Sequence, residues 1–278
     1  MKKRLIIFFG LVLVLGFSFQ SIAQFTKEEA ADREKWEEFL KTAEIIAQEQ
    51  PFDKREAVTE PWVLTLEKDG VKNKAIWKDV QGRAKGFMES WKWEIAAYLL
   101  DKHLGLNMVP PTVERRFQGN RGSCQLWIKS MMSLKKKFEE KIKTPSIKVF
   151  YWNRAFYKQR AFDNLIANED RHQNQYLITD DWRMILIDHS RSFRTAKKFT
   201  KKLIYDEKYK EGPTFIMREL PRDLYEKIKS LNAEVIKGVV GEYLTDSEIE
   251  AVLIRKDLIV NWIEDRIKQM GEDKVLYD

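Results

Sequence analysis

The sequence predicts an α+β fold in two unequal parts, a small sheet with one inserted helix followed by a mainly helical body. Between residues 62 and 128, short apolar runs alternate with turn residues, as strands and hairpins do. One stripe at helical spacing, Trp93, Ala96, Ala97, Leu100 and Leu104, interrupts them. From about Ile147 onward helical patterns dominate, broken once by two short strands around Asp180-Asp181.

The first residues read as an address. Lys2, Lys3 and Arg4 precede an almost wholly apolar run from Leu5 to Phe19, and Ser21-Ile22-Ala23 supplies a small-residue cleavage site. The run is shorter than the roughly 20 residues a bilayer-spanning helix needs. A signal peptide over 1–23 is therefore expected, cleaved after Ala23, leaving no stable membrane span and a secreted or periplasmic product. Its removal takes three basic residues and lowers the formal charge from +7 to +4.

Thr26 with Glu29 forms a capping-box pattern, and Phe39, Leu40, Ala43 and Ile46 follow at helical spacing. A helix over 26–50 is predicted, stopped by Pro51, within an N-terminal helical extension of residues 24–60. Residues 62–66 and 75–78 read as strands joined at Asp69-Gly70, and the helix over 89–104 ends at Gly105. Residues 109–115 and 124–128 give two more strands around a turn at 118–122. The second part turns helical through Phe156, Phe162, Leu165 and Ile166 and breaks at Asn168. Strands follow at 175–179 and 182–187, and the chain after Phe193 reads as helical, with Pro213 and Pro221 as punctuation.

Composition narrows the function classes. Charged residues of both signs make up 33% of the chain, and the densest basic run, Lys135-Lys136-Lys137, is followed at once by Glu139-Glu140. That is a solvated helix face, and no nucleic-acid partner is expected. Cys124 is the sole cysteine, which excludes an internal disulfide and a cysteine metal cluster. The tryptophans, Trp91, Trp93 and Trp127 among them, read as core or interface residues.

The residues that carry chemistry surround the second hairpin. Asp170 lies just before its first strand and Asp188 just after its second, so both carboxylates project from the same end. With the amides of Asn174 and Gln175 nearby, they form a hard-oxygen site suited to magnesium or manganese. Phosphoryl transfer needs such a site and a fixed cation on the phosphates. Lys78, at the end of a strand, supplies the cation, and Glu94 on the next helix is its natural partner. A second reading joins His172 and His189 to the two aspartates as a zinc hydrolase set, although no histidines pair at i, i+4. His103 sits at a helix end, where it complements the dipole.

Asp170-Arg171-His172, the strand pair and Asp188-His189 together resemble the atypical kinases, a family that includes the phosphatidylinositol 3- and 4-kinases, the HipA-type kinases and the secretory-pathway kinases. Residues 94–98, 109–113 and 125–127 extend the likeness over most of the mature chain. The resemblance implies a two-lobed protein-kinase-like fold, with a small N-lobe sheet over about 61–130 and a mainly helical C-lobe over about 131–278. It also implies ATP- and metal-dependent phosphoryl transfer to a protein, lipid or small-molecule hydroxyl. Lys78 would contact the ATP phosphates, Glu94 would pair with Lys78, Asp170 would be the catalytic-loop base and Asp188 the principal metal ligand. Arg171 is expected to be structural, paired with a nearby carboxylate. Two departures stand out: the family's metal-binding Asn, five residues after the catalytic Asp, is replaced by Gln175 with Asn174 just before it, and only Gly70 represents the Gly-rich loop. They motivate the alternative of a catalytically inactive pseudokinase that acts as a binding module.

Overall fold

In a computed structural model, which describes residues 25–51, 60–205 and 217–278, Thr26 caps α1 (Lys27–Ala31) through the expected reciprocal box with Glu29. The predicted signal peptide and Pro213 lie outside the described residues. α2 (Arg33–Thr42) follows, and here the sequence reading needs correction: the helix stops at Thr42 rather than at Pro51. Ala43 turns extended, and β1 (Glu44–Glu49) pairs antiparallel with β2 (Trp62–Lys68). The β-branched pair Ile45-Ile46 suits a strand, and pairing with β2 satisfies backbone groups that an edge would leave open. Phe39, Leu40 and Ala43 are buried as the helical spacing implied, whereas Ile46 is exposed.

β2 turns through Asp69 and Gly70, both left-handed, into β3 (Val71–Lys78). A second hairpin, β4 (Gln81–Ala84) and β5 (Phe87–Ser90), was not foreseen, because its residues show no apolar alternation. Ser90 then caps α3 (Trp91–Leu104), which starts two residues later than the sequence suggested, and Gly105 closes it in the left-handed conformation. β6 (Thr112–Phe117) and β7 (Asn120–Leu126) complete a sheet of order β1-β2-β3-β7-β6. Its core gathers Phe39, Leu40, Leu64, Leu66, Trp77, Phe117 and Cys124.

The second lobe packs around a larger apolar core. β8 (Met132–Ser133) leads into α4 (Leu134–Glu139), and the long α5 (Val149–Ile166) ends with Ala167 in the left-handed region. β9 (Tyr176–Ile178) and β10 (Met184–Leu186) form the expected hairpin, with β8 added to its other side. α6 (Arg222–Ser230), α7 (Ala233–Val240) and α8 (Asp246–Met270) follow, as the helical reading required. A short parallel contact between β11 (Leu220–Pro221) and β12 (Leu276–Tyr277) is the exception to it.

The N-terminal helices are tied to the helix that carries Glu94, because α2 is latched to α3. Arg33 Nη2 lies 2.9 Å from Asp101 Oδ2, with side chains 4% and 0% exposed. The other Asp101 oxygen accepts from the backbone of Met108 and Val109, and Glu37 accepts from both Tyr98 and Lys102. Burial raises the Asp101 pKa, against the pull of Arg33. Removing the cation strands a buried carboxylate, so Arg33→Ala is expected to cost about 3–5 kcal/mol, and Arg33→Ala with Asp101→Asn less. Urea unfolding of the two variants checks this. An unchanged midpoint in Arg33→Ala would mean that Asp101 is carried by its two backbone donors alone.

Candidate active site

Lys78 is placed by its neighbour. Trp77 points into the sheet core, donates from Nε1 to Arg115 O at 3.0 Å and meets Phe117 edge-on at 5.1 Å. Successive strand residues face opposite ways, so fixing Trp77 inward turns Lys78 toward the other face. Gly122 on β7 is what lets the two strands close here. A Cβ at that position would stand 2.4 Å from Lys78 O and 2.7 Å from the Trp77 ring.

Lys78 Nζ lies 2.7 Å from Glu94 Oε1 on α3 and 2.9 Å from Asp188 Oδ1 beyond β10. The three residues come from three separate elements, 110 positions apart at the extremes. Glu94 uses its second oxygen to accept from the His189 backbone at 2.9 Å, so one carboxylate spans both lobes. Burial alone would lower the Lys78 pKa, but Asp188 and Glu94 outweigh it and hold the ammonium above the ordinary lysine range. The same attraction, working against burial, lowers both carboxylates. Asp188 adopts a left-handed backbone, φ 60°, a region that a short polar side chain tolerates better than most.

Asp170 sits where the hairpin argument put it, at the same end as Asp188. Its carboxyl is pushed up by burial, partly offset by Arg191, whose Nη1 is 3.1 Å away. Asn168 Oδ1 accepts from the Asp170 backbone and shapes the loop. Arg171 is structural, as expected. All five of its N–H groups find partners: both oxygens of Asp163, the carbonyls of Gln175 and Ile187, and His189 Nε2. This one guanidinium, with its side chain fully buried, ties α5 to both strands of the β9–β10 hairpin at its open end.

Sequence reasoning missed three members of the site: Glu89, Ser190 and Arg191. Glu89 reaches the cleft from the unforeseen β4–β5 hairpin and is 2% exposed. It receives Arg191 Nε at 2.9 Å, and Ser190 Oγ lies 3.1 Å from it and 3.0 Å from Asp188 Oδ1. The Ser90 N–H donates to Ser190 O at 3.0 Å and fastens the hairpin to the loop after Asp188. Asp170 and Asp188 are thus joined through Arg191, Glu89 and Ser190. The only signal available was the run Asp188-His189-Ser190-Arg191 itself, in which Arg191 follows the readable motif.

The two amide candidates separate. Gln175 Nε2 faces Asp188 Oδ2 at 3.3 Å, while its oxygen accepts from the His172 backbone. Asn174 stands exposed on the same turn. Asp188, partly exposed beside an amide, fits magnesium or manganese, which binds one or two carboxylates and completes its shell with phosphate oxygens and water. Metal ligation by Gln175 would require its amide to turn over and release His172. The zinc set is not assembled: His189 is buried against Arg171, His172 is exposed, and among the described residues no group of three or more His, Cys, Asp or Glu is placed to hold a metal.

Known protein-family models and curated proteins give no match to the sequence. Solved structures do. A hydra Fam20 structure determined with sugar superposes with a TM-score of 0.63 at 16% identity, covering 91% of this chain and 94% of that one. The Golgi casein kinase with Mn/ADP bound gives 0.60 at 16% identity, covering 88% and 78%. This chain shares the kinase-like fold of these structures. A second structure of the Golgi casein kinase agrees, at 0.60 and 16% identity. The kinase-like architecture therefore stands as the sequence predicted: an antiparallel N-lobe sheet, a helix carrying Glu94 and a mainly helical C-lobe.

Proposed function

We propose that this chain transfers the terminal phosphoryl group of ATP to a hydroxyl acceptor. The observation that carries the reading is Lys78 Nζ held at 2.7 and 2.9 Å between Glu94 and Asp188, with Asp170 at the same end of the hairpin. The Golgi casein kinase, similar in fold, has been solved with Mn/ADP, which supports nucleotide and divalent metal use by this scaffold.

Asp188, with Gln175 beside it, would hold magnesium or manganese, which would supply positive charge to offset that of the phosphates. Lys78, fixed by Glu94, places its ammonium against the phosphates. Asp170 orients the acceptor hydroxyl and takes its proton as that oxygen bonds to the terminal phosphorus and the bond to the ADP oxygen breaks. The desolvation that raises the Asp170 pKa makes it a better proton acceptor. Arg191 keeps the Asp170 carboxylate directed into the cleft. The acceptor is a protein, lipid or small-molecule hydroxyl. Export through the N-terminal leader would put the reaction outside the cytoplasm; among the described residues no helix is long and apolar enough to cross a membrane.

A non-catalytic reading rests on Gln175, whose amide nitrogen rather than oxygen faces Asp188. Thermal unfolding followed by labelled phosphate transfer decides between them. ATP with magnesium or manganese at about 100 times its Kd is expected to add roughly 2.7 kcal/mol, or about 5–10 °C in Tm. Asp170→Ala should keep that rise and lose transfer to itself or to a test acceptor. A rise without transfer in the wild type would favour the pseudokinase, and no rise at saturating nucleotide would overturn the nucleotide site.

A further inference from the structure

Among the described residues, four exposed large apolar side chains lie close together along the chain. Of twelve such residues, Phe138, Ile147, Val149 and Phe150 fall within thirteen positions, at 50%, 78%, 43% and 53% exposure. They occupy α4, the 3-10 turn Ser146–Lys148 and the first turn of α5. The same stretch carries six lysines. Lys135 and Lys136 pair loosely with Glu139 and Glu140 at 3.7 Å, and Lys137 is buried. Lys141, Lys143 and Lys148 have no acidic partner among the described residues, and Arg154 covers the Phe150 ring at 4.1 Å.

The geometry points to a peripheral docking surface for an anionic lipid bilayer, with Ile147 and Phe150 entering the interface and Lys141, Lys143 and Lys148 on the headgroups. A side chain 78% exposed protrudes rather than lining a recess, so it offers a protein partner little shape to match. A bilayer interface takes protruding apolar groups without complementarity, and flanking lysines add attraction to acidic headgroups. Ser133, which caps α4, pairs with Leu177 of β9. The surface is therefore anchored to the hairpin that presents Asp170 and Asp188, and docking would hold the cleft at a set distance from the membrane.

The test uses the full chain. Cys124 is the only cysteine and is fully buried, so Ile147→Cys offers a single reactive thiol for an environment-sensitive fluorophore. Lys72→Cys, on the exposed face of β3, is the control. Phosphatidylcholine vesicles containing phosphatidylglycerol are expected to blue-shift the probe at 147 but not at 72, and added salt should reverse the shift. Lys141→Glu with Lys143→Glu and Lys148→Glu should weaken the lipid titration more than about a hundredfold.

Attachment through the N-terminal leader alone would leave the probe at 147 in water, and that outcome overturns the proposal. So would an equal shift on pure phosphatidylcholine, or a shift produced by a soluble acidic protein and not by vesicles. None of these outcomes bears on the nucleotide site, which the probe does not report.

Discussion

Asp188→Ala is expected to remove the metal-dependent rise in Tm with ATP and to lower phosphoryl transfer by about a thousandfold or more. Asp188 is the carboxylate that faces both Lys78 and the part-exposed mouth of the cleft, and Ser190 and Gln175 already direct its two oxygens. The fold should survive the change, because Lys78 keeps Glu94 at 2.7 Å and Glu94 keeps the His189 backbone. The acid response gives an independent check. Folding lowers the Asp188 pKa, since Lys78 overcomes the cost of burial. Its contribution to stability is thus present above the ordinary carboxylate pKa and fades as pH falls through the lowered folded value. Asp188→Ala should flatten that part of the stability profile. Retained metal-dependent nucleotide binding in the variant would move the metal elsewhere.

A large loss of stability is expected from Asp163→Ala. The Arg171–Asp163 pair has no exposed side-chain surface at either end, and Arg171 makes two contacts to this carboxylate, at 2.9 and 3.1 Å. Breaking a buried pair by deleting one partner costs about 3–5 kcal/mol, because the remaining charge stays buried without compensation. For a domain of this size that corresponds to a fall in Tm of about 6–20 °C. Transfer should decline as well, since the freed guanidinium also holds Gln175 O and Ile187 O, which face each other at the open end of the β9–β10 hairpin. Asp163→Asn, which retains one acceptor oxygen, should be milder. Equal loss in the two variants would mean that packing rather than charge sets the cost.

Much of this architecture is legible in the sequence where local rules and tertiary structure agree. The Thr26–Glu29 box, the Asp69-Gly70 turn, the stop at Gly105 and the β9–β10 hairpin all rest on contacts within a few residues. Placing Asp170 and Asp188 at one end needed only the return geometry of that hairpin. Pairing Lys78 with Glu94 needed only their order along the chain, and the structure brings them together. Tertiary pairing decided what could not be read. β1 is a strand because β2 has a free edge beside it, and helical spacing in the residues before it concealed this. β4 and β5 bury little apolar surface and leave no alternation to detect, so Glu89 had no visible route to the cleft. The choice between Asn174 and Gln175 depended on how one 3-10 turn directs its side chains.

The bridge between Lys78 and Asp188 also has a kinetic consequence. Two cations, Lys78 and Arg191, face four carboxylates, Glu89, Glu94, Asp170 and Asp188, so the ionised cleft carries an excess of negative charge. A free nucleotide polyanion approaching it meets repulsion, and must also part Lys78 from the aspartate that holds it. Association should then be slow in metal-free solution and should speed up as salt screens like charges, the reverse of an electrostatically steered encounter. If ATP is the ligand, as proposed, such a cleft would favour a nucleotide that arrives with its cation already attached, so that the supply of the divalent ion, as much as that of ATP, would govern how often the site is filled.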